Sequence, residues 1–227
     1  MAPTLPPMGW RDSHRTPEGG APAQRGDGAA DRRSAAAEGM RADGSYFDPE
    51  FQAYVVPVVL GHHRISARAD DVLVTTLGSC VAVCLHDPVA RLGGMNHFLL
   101  PGQPEDGGQG VPTRYGAVAM ERLLEDLLAR GARPERLEAK LFGGARVIAT
   151  SQDVGVANAA FALDWLARQG IAQAGQDLGG AAGRRVMFFP ASGKALRRFL
   201  RPETEREAMA QELDALRLLQ RHAGTAA

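Results

Sequence analysis

A cysteine and a histidine bracket one short part of the chain, TTLGSCVAVCLHDPVARLGGMNHFLLP from Thr75 to Pro101, as Cys80 in LGSC and His97 in GGMNHFLLP. A thiol with an ordinary pKa of about 8.5 becomes an effective nucleophile at neutral pH beside a base, most often a histidine. Cys80 follows Gly78 and Ser79, where one strand-like run hands over to the next. A side chain at such a bend can face a cleft, and backbone N–H groups freed around Gly78 and Ser79 can hold an oxyanion. The competing reading is a buried structural cysteine, since free cysteines are among the most buried residues. Cys84, flanked by apolar residues in VAVCL, fits that second reading.

The candidate bases are His62, His63, His86 and His97, with His14 and His222 in the terminal segments. His97 sits in an apolar run that would pair beside the strand following Cys80, which brings the two side chains together; a satisfied core histidine is the alternative. His86, in LHDP, suits a turn or a cap, and His62 and His63 suit a surface turn. A third group usually orients such a base. Thr75, Thr76, Ser79 and Asn96 are available, and no core carboxylate stands out, Asp87 being in a turn. Cys80, Cys84 and His86 lack the spacing of a zinc pair. LFGGA and DLGGAAG lack the lysine and hydroxyl residue of a phosphate-binding loop.

The elements that must position these residues follow from periodicity. FQAYVVPVVLGHHRIS, DVLVTT, VAVCLH and GMNHFLL read as strands, separated by glycine and Asp-Pro turns. Met120, Leu123, Leu124, Leu127 and Leu128 then form one helical stripe ending at Gly131. LEAKLF alternates as a strand, a second helix spans about Val156 to Gln169, and RRVMFFP is another strand. Strands followed by alternating helices and strands predict an α/β (α+β) layered domain with helices against mixed sheets.

The 227 residues divide into three segments. Residues 1–44, poor in large aliphatic side chains, read as a disordered tail; 45–200 form the domain; 201–227 form a C-terminal helical extension. Its start is predicted by the capping-box spacing of Thr204 and Glu207, and Met209, Leu213 and Leu216 give it a thin apolar stripe for its own domain or a partner helix. Lys+Arg 26 against Asp+Glu 26 gives no basic surplus, which argues against nucleic acid as a partner. No apolar run approaches the roughly 20 residues of a membrane helix, so no membrane insertion is expected. Cys80 and Cys84, four strand residues apart, would lie roughly 13 Å from one another, beyond the roughly 7 Å limit of a disulfide. With no secretory leader in view, the expectation is a cytoplasmic protein.

TTLGSCVAVCLHDP with GGMNHFLLP resembles the CheD family of chemoreceptor glutamine deamidases. RYGAVAMERLLEDLLARGA, LEAKLFGGARV, VGVANAAFALDWLARQGI and DLGGAAGRRVMFFPASGKAL continue the resemblance in order, over about Tyr46 to Arg198. The resemblance implies a three-layer sandwich similar to that of glutamine-deamidating toxins. It implies Cys80 as nucleophile, His97 as general base and a threonine just upstream of LGSC, Thr75 in preference to Thr76, with Gly78 and Ser79 at the oxyanion. It implies no cofactor, and partners in the cytoplasmic domains of methyl-accepting chemotaxis receptors and in the CheC phosphatase. Phe142-Gly143-Gly144, Asn158, Gly179-Gly180 and Arg184 match family motifs and are given structural or groove roles. The rival readings are an adaptor that binds receptors or CheC with little catalysis, and a cysteine protease.

Overall fold

Strand β6, Val81–Asp87, is buried along its whole length, as a strand covered on both faces must be. Its side chains alternate. Val81, Val83 and Leu85 join one apolar cluster, and Ala82 and Cys84 join another with Cys80. The two clusters separate three layers. The structure is a computed structural model describing residues 9–12, 40–101, 115–147 and 154–223.

One mixed sheet has six strands in the order β1-β11-β10-β5-β3-β2: β1 Arg11–Asp12, β2 Tyr46–Asp48, β3 Ala53–Pro57, β5 Asp71–Leu77, β10 Arg184–Phe189 and β11 Lys194–Phe199. The other runs β4-β7-β6-β8-β9, with β4 His63–Ser66, β7 Leu92–Asn96, β8 Glu138–Gly143 and β9 Ala172–Leu178. β3 pairs parallel with β5, and β8 with β9; the other pairings are antiparallel. Between the sheets lie Val56, Leu73, Leu77, Cys80, Ala82, Cys84, Met95, Phe142 and Phe188. Helices α1, Gly116–Ala129, and α2, Val154–Arg168, cover the far face of the five-stranded sheet. The layers are therefore sheet, sheet and helices, the sandwich expected.

The α1 stripe meets the sheet through Met120, Leu123 and Leu127, each fully buried. Burial of that kind stabilises by about 1.5–3 kcal/mol per side chain. Leu124 is only partly buried, at the border of the same stripe.

Most of the 1–44 segment read as disordered, residues 1–8 and 13–39, lies outside the described residues. Two pieces of it are ordered. Trp10 stacks edge-on to Phe51 with ring centroids 5.9 Å apart and lies under the Arg198 guanidinium, which fixes β1 on β11. Arg41 covers the Tyr54 ring and pairs with Asp71 at 2.7 Å and Asp70 at 3.2 Å, so order starts before Tyr46.

The C-terminal helix α3 spans Pro202–Ala223. The Thr204 capping box does not start it. Pro202 opens the helix, Glu205 N–H donates to Arg201 O, and Thr204 is an exposed residue inside the first turn. Proline's fixed φ suits the first helical position and sets the start. Met209 and Leu213 are half-buried, while the inward face runs through Glu205, Ala208, Glu212 and Ala215. No described helix is long and apolar enough to cross a membrane.

Candidate active site

The register of two strands puts Cys80 and His97 on one face. Cys84 opposes Met95, and the same register continues to a bridge between Val81 and Phe98. Cys80 therefore stands diagonally across from His97, with both side chains toward the six-stranded sheet. Diagonal neighbours have Cα atoms about 7–8 Å apart, within reach of a long side chain. His97 lies one residue past the end of β7 and keeps the alternation of that strand.

Facing them from the six-stranded sheet is Thr75 on β5. Its hydroxyl is 2.7 Å from Val58 O and 2.9 Å from His97 Nδ1. A hydroxyl has one hydrogen, and the Val58 carbonyl can only accept. Thr75 therefore donates to Val58 O and accepts from His97 Nδ1–H, which also leans toward Val58 O at 3.4 Å. That assignment leaves Nε2 as the free lone pair. Nε2 is buried with no hydrogen-bond partner among the described residues, as a base held in reserve would be. Burial pulls the His97 pKa down to about 4, Glu212 and the Val58 carbonyl opposing the shift, so the ring is neutral at pH 7.

Thr76, the alternative threonine, is half-buried and lines the adjoining cavity. Asn96 points the other way: its Oδ1 accepts from Val83 N–H and its Nδ2 donates to Ala119 O under α1. Asn96 is thus a structural link on the helix side of the sheet, removed from the His97 face by the two-residue period. His86 is not in a turn but in β6, buried, its pKa lowered by desolvation and opposed by the Ala191 backbone. His63 in β4 pairs with Asp126 at 2.7 Å.

LGSC is held from two sides. Gly144 N–H donates to Cys80 O and Ala145 N–H to Gly78 O, so the glycine-rich LFGGA segment cradles this backbone. Gly143 has φ +107, and a Cβ there would sit 2.1 Å from Cys80 O. Only glycine fits that approach. From α2, Asn158 Nδ2 donates to Ser79 O at 3.1 Å and Leu99 O at 2.7 Å, tying the cysteine loop to the histidine strand. Arg184, fully buried, is held by Asp177 and the Gly179 carbonyl, a structural role.

With their carbonyls so occupied, the N–H groups of residues 78–80 turn toward one carboxylate and divide between its two oxygens. Glu212 of α3 accepts from Gly78 N at 2.8 Å, Ser79 N at 2.9 Å, Ser79 Oγ at 2.7 Å and Cys80 N at 3.4 Å. The bend is expected to need Gly78 for backbone freedom, but Gly78 is not in the positive-φ region. It is needed for space: a Cβ would lie 2.8 Å from Val147 Cγ2 and 3.0 Å from Glu212 Oε2. Glu212 is only 5% exposed. Burial pushes the Cys80 thiol well above its usual pKa, and the Glu212 charge and hydrogen bond push it further. A cavity of about 280 Å³ adjoins the group, lined among others by Thr75, Thr76, His97, Arg185, Gln211 and Glu212. Glu212 escapes notice in the sequence because it is one of many charged residues on a charged helix. The signal that would have found it is the 205/208/212/215 spacing of two glutamates and two alanines.

A family model for CheD, described as chemotactic sensory transduction, matches residues 99–199, which hold β8 to β11 but neither Cys80 nor His97. A protein of Rhodopseudomonas palustris, named a probable chemoreceptor glutamine deamidase CheD, is 46% identical over 169 residues, 72% of this chain and 78% of that one. The chain belongs to the CheD family. A Caulobacter vibrioides CheD of the same name is 49% identical over 153 residues, 67% of this chain and 81% of its own. An Acidiphilium cryptum CheD is 53% identical over 142 residues, 62% and 75% respectively. Among solved structures, a Neisseria meningitidis protein of the DUF152 family superposes on this CheD-family chain with a TM-score of 0.32 at 13% identity, covering 60% and 64%. That likeness is too slight to inform the site.

Proposed function

We propose that the protein is a glutamine deamidase that converts glutamines of methyl-accepting chemoreceptors to glutamates, with Cys80 as nucleophile, His97 as base, Thr75 as its positioning residue, and Gly78 and Ser79 at the oxyanion site. The observation that carries the reading is a thiol and a buried, unpartnered Nε2, its tautomer fixed by Thr75, on one face of the sheet beside three backbone N–H donors gathered on one carboxylate. The names of the relatives supply the substrate.

The chemistry follows. His97 Nε2 takes the Cys80 proton, and the thiolate attacks the amide carbon of the glutamine side chain. The amide oxygen becomes an oxyanion held by the N–H groups of residues 78–80 and the Ser79 hydroxyl. His97 returns the proton to departing ammonia, leaving a thioester. Water, deprotonated by His97, hydrolyses that thioester to glutamate and restores the thiol. No cofactor takes part in this sequence. In this account residues 45–200 carry the chemistry and 201–227 form an appendage to it.

The test is to incubate the protein with receptor cytoplasmic fragments and follow peptide masses. A gain of about one dalton at a glutamine with the backbone intact is the deamidase product. Cleaved backbone would instead make the protein a protease. Unchanged masses, with the Glu212→Ala variant run alongside, would leave the adaptor reading and lead to a pull-down with CheC.

A further inference from the structure

The mechanism leaves Glu212 unused, yet it is the best-bonded side chain at the site. Its carboxylate occupies the place of the oxyanion, accepting from the N–H groups of residues 78–80 and the Ser79 hydroxyl. A glutamate side chain in that place is, chemically, the product of the proposed reaction. We propose that α3 is a built-in product analogue: it covers the site with Glu212 in the pose of a deamidated glutamine, and a substrate helix must displace it. The proposal rests on the deamidase reading and adds how substrate is presented, as a glutamine projecting from the middle of an α-helix.

Three further observations support it. First, α3 docks along Glu205, Ala208, Glu212 and Ala215, positions 0, 3, 7 and 10 of one helical face. Small alanines beside the two acids let the helix axis approach the domain. Second, among the described side chains of this helix, the docking is mostly polar. Glu205 accepts from Gly183 N at 2.5 Å, as Glu212 does from residues 78–80, while half-buried Met209 and Leu213 supply little apolar anchoring. Carboxylate to backbone hydrogen bonds can be replaced one for one by water or by a substrate's amide oxygen, so displacing this helix leaves no N–H donor unsatisfied. Third, α3 lies beyond the 99–199 segment matched by the family model. In the covered state the thiol is fully buried and its ionisation opposed, so the catalytic pair is held silent.

The product analogy supplies its own test. In full-length Glu212→Gln the chain presents a glutamine to its own thiol. Cys80 would attack the amide carbon of the introduced glutamine, His97 would protonate the departing ammonia, and water would release a glutamate and the free thiol. The expected result is a gain of about one dalton at position 212. Its rate should be independent of protein concentration, and it should be absent in the double variant Cys80→Ala with Glu212→Gln. Alongside, iodoacetamide should alkylate Cys80 at least about tenfold faster in Glu212→Ala than in wild type, because the cover loosens and the opposing charge is gone. Two results would overturn the proposal: an introduced glutamine that persists in a protein that deamidates receptor fragments, or equal alkylation rates in wild type and Glu212→Ala. Failure of the deamidase reading looks different. No receptor glutamine changes in any variant, while alkylation still accelerates, which supports α3 as the cover of the thiol.

Discussion

Replacing Thr75 by valine removes one hydroxyl and keeps the volume of the side chain. Two hydrogen bonds go with it: the 2.7 Å bond to Val58 O and the 2.9 Å bond from His97 Nδ1–H. What remains at Nδ1 is the long 3.4 Å approach to Val58 O. A neutral buried hydrogen bond contributes about 1 kcal/mol net, and an unsatisfied buried donor costs about 1–3 kcal/mol. The ring can escape that cost by tilting or by moving its proton to Nε2, and either change removes the lone pair that Cys80 needs. Spread over about 1.4–2.8 kcal/mol of transition-state energy, the loss is tenfold to a hundredfold in kcat. KM should stay within about twofold, because the defect lies in the base rather than in substrate contacts. Thr75→Ser should restore the rate to within about threefold, since the acceptor oxygen returns. The assay is timed conversion of glutamine to glutamate in a receptor fragment. If Thr75→Val and wild type share a kcat, or if valine and serine fall equally, the tautomer argument fails.

Other consequences are as definite. His97 has a folded pKa of about 4 against an unfolded value of 6.5. The unfolded chain therefore binds the extra proton between those values, and the stability tied to a neutral His97 is full above about 6.5 and fades as pH falls toward about 4. Urea unfolding at pH 7 and pH 5 should show a steeper acid loss for wild type than for His97→Gln; identical slopes would contradict it. Asp87 behaves in the opposite register. Burial would raise its pKa, but N–H donors from Val89, Ala90 and Arg133 and the Arg136 guanidinium hold it at about 2. Its contribution is present above about 3.9 and lost only below, and Asp87→Asn should cost about 3 kcal/mol at pH 7 by chemical denaturation. A loss below about 0.5 kcal/mol would mean the cluster contributes nothing measurable. Gly143→Ala should displace Cys80 O and abolish turnover, checked by the same mass assay, while circular dichroism shows a folded protein.

The shared face of Cys80 and His97 was legible because strand pairing has a period of two. Once VAVCLH and GMNHFLL are read as neighbours, Cys80 and His97 either share a face or do not, and an apolar Val81, Val83, Leu85 set sends the cysteine to the other side. α1 was equally clear from its buried stripe. β9 was not, because AQAGQDL has no fully buried residue and no apolar alternation, being held as a sheet edge by β8. β11 hides behind Lys194, Arg197 and Arg198, whose charges break its apolar alternation, although it lies between β10 and the two-residue β1. β1 is two residues long and depends on Trp10 meeting Phe51 far along the chain, a contact no local pattern records. Glu212 belongs to the same class: its partners are 132 to 134 residues away.

The central claim is that Cys80 is the nucleophile. The direct measurement is the rate of glutamine-to-glutamate conversion in a receptor cytoplasmic fragment by wild type and by Cys80→Ala, with thermal unfolding showing that both are folded. The account predicts at least a thousandfold loss, roughly 4 kcal/mol of transition-state stabilisation. A Cys80→Ala protein that keeps a tenth or so of the wild-type rate would contradict it, since no loss above about 1.4 kcal/mol is then assignable to the thiol.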